Sequence, residues 1–150
     1  MSRQIWWEEL PWDYASKARD FLKPGVRVLD LSPEEGAYPF GREPAEAVRW
    51  NGTGPLPFAD GSFDLVLCRF GLLPLEEAAR VLAAGGFVVA EQVGGSDSWE
   101  PGPLNFNLEN QLPRVEAAGF RVMWRQQAYP LGPGGRRGHR FIFIAKKRAV

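Results

Sequence analysis

The sequence predicts an α/β fold in three layers: a mostly parallel sheet that ends in an antiparallel hairpin. Two observations carry this. Apolar runs of strand length at 26–31, 63–70 and 87–93 alternate with segments of helical spacing, the pattern of a parallel sheet built from βα units. The last two runs, 120–129 and 140–146, are joined by a Gly/Pro/Arg linker that suits a hairpin. With 150 residues, 45% of them hydrophobic, the chain is long enough for one sizeable core, and no shift in composition marks a boundary. It reads as a single domain over 1–150, with an aromatic segment and helix over 1–24 and a sheet core over 26–147.

The elements follow in order. Trp6, Trp7 and Trp12 make the start an aromatic cap on the domain, or else a patch for a partner. Asp13 reads as a helix N-cap, with Tyr14, Ala18, Phe21 and Leu22 at helical spacing and Pro24-Gly25 as the stop. The run 26–31 is a buried strand. Between 32 and 55 the pattern weakens: a turn or helix start at 32–36, a short helix over 44–48, a short strand over 48–51, then loop chemistry at Gly52-Thr53-Gly54-Pro55. A strong strand over 63–70 precedes an amphipathic helix over 75–82, whose Glu76 and Glu77 sit where the helix dipole favours them. After the strand at 87–93 comes a loop over 94–103. A helix over 107–118 follows, interrupted by Pro113 and capped by Gly119, and then the closing hairpin.

Composition removes several function classes. Net charge is zero, from 18 basic and 18 acidic residues, so nothing draws the chain as a whole to nucleic acid or a membrane surface. The single cysteine, Cys68, excludes an internal disulfide, and the single histidine, His139, leaves little for a zinc site or a triad, so no metal is expected. No long apolar span or leader stands out, and the expected location is the cytoplasm. The basic stretch from Gly132 to Arg140 reads as a solvated hairpin tip. Gly52-Thr53-Gly54 is not a phosphate loop, because no Lys-Ser/Thr follows it.

Two words in the second half carry more. Leu56-Pro57-Phe58-Ala59-Asp60-Gly61-Ser62-Phe63-Asp64 is followed by Ala79-Arg80-Val81-Leu82-Ala83-Ala84-Gly85-Gly86. Together with Val26-Arg27-Val28-Leu29-Asp30-Leu31 and the closing hairpin, they resemble the class I S-adenosylmethionine-dependent methyltransferase family, of the type acting on small molecules. The resemblance implies a Rossmann-like sheet, here missing about one βα unit, because the span from Asp30 to Asp64 has room for only one. It also implies S-adenosylmethionine as cofactor, held by Asp30, Ser32, Gly36, Asn51 and Arg69, with Cys68, Glu91 and Gln92 on the substrate side. No residue is assigned a catalytic role.

The cofactor loop departs from the family's pattern. Where alternate glycines let the backbone pass close to the cofactor, this chain has Asp30, Ser32, Glu34 and Gly36. Glu34 adds bulk and charge, and Pro33 stiffens the turn. Glu43 and Glu46 are the acidic residues left for the ribose, and both read as solvated helix residues. The reading is therefore a degenerate relative, non-catalytic and acting as a binding or regulatory subunit, with a homodimer or protein partner on the Trp-rich surface. The alternatives are an active small-molecule methyltransferase and a binder of another small ligand.

Overall fold

The computed structural model describes residues 9–41, 45–52 and 54–149; Trp6, Trp7, Glu43, Pro44 and Thr53 lie outside them. Six strands form one sheet: β1 (Arg27–Asp30), β2 (Glu46–Arg49), β3 (Phe63–Arg69), β4 (Leu82–Val93), β5 (Phe120–Ala128) and β6 (Arg140–Lys147). Their order is β2-β1-β3-β4-β6-β5. The first four run parallel, and β6 lies antiparallel between β4 and β5. The architecture is the three-layer α/β sheet that the periodicity predicts.

Strand alternation sends successive side chains to opposite faces, and each face finds its own helices. On one side α1 (Tyr14–Arg19) brings Trp12, Tyr14, Ala18 and Leu22 onto Val28, Leu65, Leu67, Val89, Ile142 and Ile144. On the other, α2 (Leu75–Val81) and α3 (Leu108–Ala117) cover Leu29, Val66, Val88, Phe141 and Phe143. Trp12 is buried here, as an aromatic cap requires. Asn107 caps α3 by accepting from the Asn110 amide at 2.9 Å. Pro113 sits within a continuous α3; Pro113 and Glu109, whose carbonyl it leaves without an amide partner, are both exposed.

The middle of the chain departs from expectation. Residues 46–49 form β2 rather than a helix followed by a strand. The Glu46 amide donates to the Val26 carbonyl at 3.0 Å and the Trp50 amide to the Asp30 carbonyl at 3.0 Å, so the free edge of β1 overrides the helical preference of Ala and Glu. Glu46 is thus a strand residue. All four β2 residues are exposed. Among the described residues, the only helical turn between β1 and β3 is a single 3-10 turn at Glu34–Gly36. Among its described residues, the connection carries a strand but no packed helix.

The words that resemble the family hold the fold together. Arg80 of α2 donates to the carbonyls of Leu56 (2.9 Å) and Phe58 (2.8 Å) and pairs with Asp60 and Glu77. Glu77 in turn accepts from the Leu56 amide at 2.8 Å. The Leu-Pro-Phe-x-Asp loop and the helix that follows therefore satisfy one another's polar groups. At the foot of the sheet, Arg27 clasps Asp64 through Nε and Nη2, each at 3.0 Å. This pair holds the Asp64 carboxyl below the usual range.

Strand β6, between β4 and β5, carries the densest apolar run, and Ile142 is fully buried. Ile142→Ala is expected to lower unfolding stability by about 2–5 kcal/mol, and Ile142→Val by about 0.5–1.5 kcal/mol, in urea denaturation.

Candidate functional site

In open α/β sheets, ligands bind beyond the carboxyl ends of the strands. At the end of β1 the carboxylate of Asp30 is fully buried. One oxygen accepts from the Ser32 amide and the other from the Tyr38 amide, both at 3.0 Å. Both oxygens are therefore engaged by the loop that follows. Ser32 Oγ accepts from the Arg69 amide at 2.8 Å, tying that loop to the end of β3. Gly36 lies directly on β3: a Cβ there would stand 2.2 Å from the Arg69 carbonyl oxygen. Gly71 also packs closely, its would-be Cβ 2.8 Å from the Leu31 carbonyl oxygen. These two glycines let one stretch of backbone approach another.

Glu34, where the family's pattern has a glycine, is exposed. The loop is closed by Ser32 and Gly36.

Arg69 and Glu91 form one unit. Glu91 is fully buried; one of its oxygens accepts from Trp12 Nε1 at 2.9 Å and the other from Arg69 Nε at 3.4 Å. The Arg69 guanidinium also lies over the rings of Phe70 (4.7 Å) and Tyr14 (5.2 Å). A buried carboxylate needs such compensation, so this constellation fixes the N-terminal aromatic segment to the sheet. Tyr14 is itself buried beside Asp30 and Ser32, and burial followed by the Asp30 charge pushes its hydroxyl well above the ordinary value. Phe70, next in the chain, takes a left-handed φ of 66°, a conformation that costs a non-glycine residue about 1–2 kcal/mol.

The remaining assigned residues lie apart from this knot. Cys68 Sγ donates weakly to the Leu72 carbonyl (3.7 Å) and accepts from Gln92 Nε2 (3.6 Å). Asn51 is exposed and lines a cavity of about 190 Å³ with Trp50, Leu31 and Leu56. Gln92 lines a second cavity, of about 230 Å³, between the sheet, α2 and α3. The structure thus brings Asp30, Ser32, Gly36, Arg69 and Glu91 together, pairs Cys68 with Gln92, and leaves Asn51 on a separate wall.

Sequence reasoning missed a polar cluster at the far end of β4. Asp97 accepts from the amides of Trp99 (2.9 Å), Glu100 (2.8 Å) and His139 (2.9 Å) and pairs with Arg140. Burial opposes its ionisation, but these partners outweigh burial and hold the carboxyl below the usual range. His139 is buried, stacked on Tyr129 at 4.7 Å between ring centres. The Ser96 amide donates to Nδ1 at 3.3 Å, which makes Nδ1 the acceptor; Ser96 Oγ lies 2.8 Å from the same atom. The Asp97-Ser98 turn and Gly94 were readable only as loop. Among the described residues, no group of three or more His, Cys, Asp and Glu side chains could hold a metal ion, and no helix is long and apolar enough to cross a membrane.

The sheet order, the antiparallel closing strand and the pocketed carboxyl edge define the fold of class I S-adenosylmethionine-dependent methyltransferases. In structure the chain is similar to an S-adenosylmethionine-dependent methyltransferase from Methanosarcina mazei, at 16% identity and a TM-score of 0.60, over 95% of this chain and 100% of that one. It is similar to the cyclase SpnF at 16% identity and a TM-score of 0.60, over 97% and 86%. A third likeness, at 15% identity and a TM-score of 0.62 over 91% and 89%, is to a chain of the complex between the Haloferax volcanii Trm112 methyltransferase activator and a proposed methyltransferase. No protein-family model matches the sequence, and no curated protein matches it.

Two outcomes follow from the site's chemistry. Burial pushes the Cys68 thiol up to about 12, so it is expected to resist thiol reagents near neutral pH and to react only on unfolding, read by Ellman titration with and without denaturant. Burial lowers the pKa of His139 below its unfolded value. The neutral ring therefore stabilises the fold above about pH 6.5, and that contribution is lost as pH falls through and below this value. Denaturation midpoints are expected to drop as pH falls below about 6.5, and His139→Gln to flatten that part of the profile.

Proposed function

We propose that this chain is a methyltransferase-fold protein that does not itself transfer methyl groups and acts as a binding or regulatory subunit. The observation that supports this best is the closed loop after β1. Transfer from a sulfonium depends on holding two reactants in line in a shaped, dry site. The groups at the strand ends do not fit the cofactor. Both Asp30 oxygens are spent on the Ser32 and Tyr38 amides, and the Ser32 hydroxyl on the Arg69 amide. The Arg69 guanidinium is paired with Glu91, and the Gly36 backbone rests on β3 where a ligand would need space. The strand beside β1 ends in Arg49-Trp50, with no acidic side chain for ribose hydroxyls. Site cavities of about 190 and 230 Å³ are each below the roughly 300–1,000 Å³ of pockets for drug-sized ligands.

The complex that contains the Trm112 activator supports a protein partner as the working mode of such a fold. A second copy of this chain is the other partner in view. The reading of an active methyltransferase on a small molecule rests on the outward-pointing Glu34 and on neighbours such as the Methanosarcina mazei protein. In that reading Asp30, Ser32, Gly36, Asn51 and Arg69 hold the cofactor, and Cys68, Glu91 and Gln92 face the substrate.

Calorimetric titration with S-adenosylmethionine and S-adenosylhomocysteine separates the two. No saturable heat is expected with folded protein, and micromolar binding of either would sink the proposal. In parallel, Gly36→Ala is expected to lower stability by about 1–3 kcal/mol, as overpacking does, because the added methyl group meets backbone.

A further inference from the structure

The 230 Å³ cavity lies between α2, α3 and the sheet, with Gln92 on its wall, and no ligand class has yet been assigned to it. Its walls are apolar: Leu73, Leu75 and Val115 on the helix side, Phe106, Phe141 and Phe143 on the sheet and loop side. A cavity of about 150 Å³ with such walls accommodates a benzene ring. This one is larger by a few methylene groups, and too small for a nucleoside-sized ligand.

Four polar side chains complete the lining: Glu76, Gln92, Gln111 and Arg114. Gln92, from the end of β4, brings an amide that is 7% exposed, and its one hydrogen bond in the described structure is the weak 3.6 Å contact to Cys68 sulfur. At the solvent side stand two opposite charges, Glu76 of α2 and Arg114 of α3, both exposed. Among the described residues, no ion pair or hydrogen bond engages either side chain. A simple anion would be drawn to Arg114 but repelled by Glu76, and a simple cation the reverse. A molecule with both charges beside an apolar body matches the two charged groups and the apolar walls, and leaves the Gln92 and Gln111 amides as further hydrogen-bonding partners.

We propose that this cavity binds a hydrophobic α-amino acid, with the side chain among the phenylalanines, the carboxylate at Arg114 and the ammonium at Glu76. The inference does not depend on the state of the β1 loop, and its probes contain no adenosyl group, so either reading can fail alone.

The test is calorimetric titration of the full chain with L-phenylalanine, and with hydrocinnamate and phenethylamine, which lack the ammonium and the carboxylate respectively. Saturable binding of L-phenylalanine, tighter than of either analogue, is expected. Arg114→Ala should weaken L-phenylalanine about tenfold while sparing phenethylamine. Glu76→Gln should weaken L-phenylalanine similarly while sparing hydrocinnamate. Both positions are exposed, so the fold tolerates either change. Failure of L-phenylalanine to saturate at millimolar concentration, or full affinity in both variants, overturns the proposal.

Discussion

The carboxylate of Asp30 is the constraint on which the architecture of the carboxyl edge rests. It is an acidic group with no solvent contact, so it must be neutralised by donors that the chain itself supplies. Those donors are the amides of Ser32 and Tyr38, and recruiting them folds the loop back over the strand end. Once the loop lies there, the Ser32 hydroxyl reaches the Arg69 amide, and only glycine fits at 36. A single buried charge thus dictates the path of about eight residues and joins β1 to β3 beyond their ladder.

Most of the fold was legible because it rests on local patterns. The runs at 63–70 and 140–146 had strand length and turn punctuation, and both became strands with nearly the expected bounds. The Leu56–Asp64 and Arg80–Gly86 words were legible too, and the structure explains their pairing: Arg80 and Glu77 bond the very loop that precedes β3. Residues 32–55 were not legible. Ala45-Glu46-Ala47-Val48 has helical propensity, and only the open edge of β1, a tertiary feature, makes it a strand. Of the site residues that the family resemblance implied, Asp30, Ser32, Gly36, Arg69 and Glu91 meet in space, Cys68 pairs with Gln92, and Asn51 stands apart. What they do together depended on hydrogen bonds to backbone amides, which leave no trace in residue identity. Glu34 is the reverse case, a conspicuous substitution whose side chain points to solvent.

The second buried acid, Glu91, ties the N-terminal aromatic segment to the same edge. Trp12 and Arg69 approach it from different parts of the chain, and Tyr14 packs alongside. Removing Trp12 would leave a buried oxygen without its donor, so the aromatic cap is electrostatic as well as apolar. The likeness to the cyclase SpnF as well as to methyltransferases agrees with this division: the sheet is common property, and chemistry resides in what the strand ends carry.

Strand β2 has a different status from its neighbours. All four of its residues face solvent, so it contributes almost no apolar burial and is retained by its ladder to β1. Cooperative protection should therefore grade across the sheet, deepest at β6 and β4 and shallowest at β2, whose amides exchange through local fraying rather than global opening. An edge that opens so cheaply also exposes the unpaired rim of β1, with its buried run Val28, Leu29 and Asp30, and that brief state is where mispairing between chains would begin.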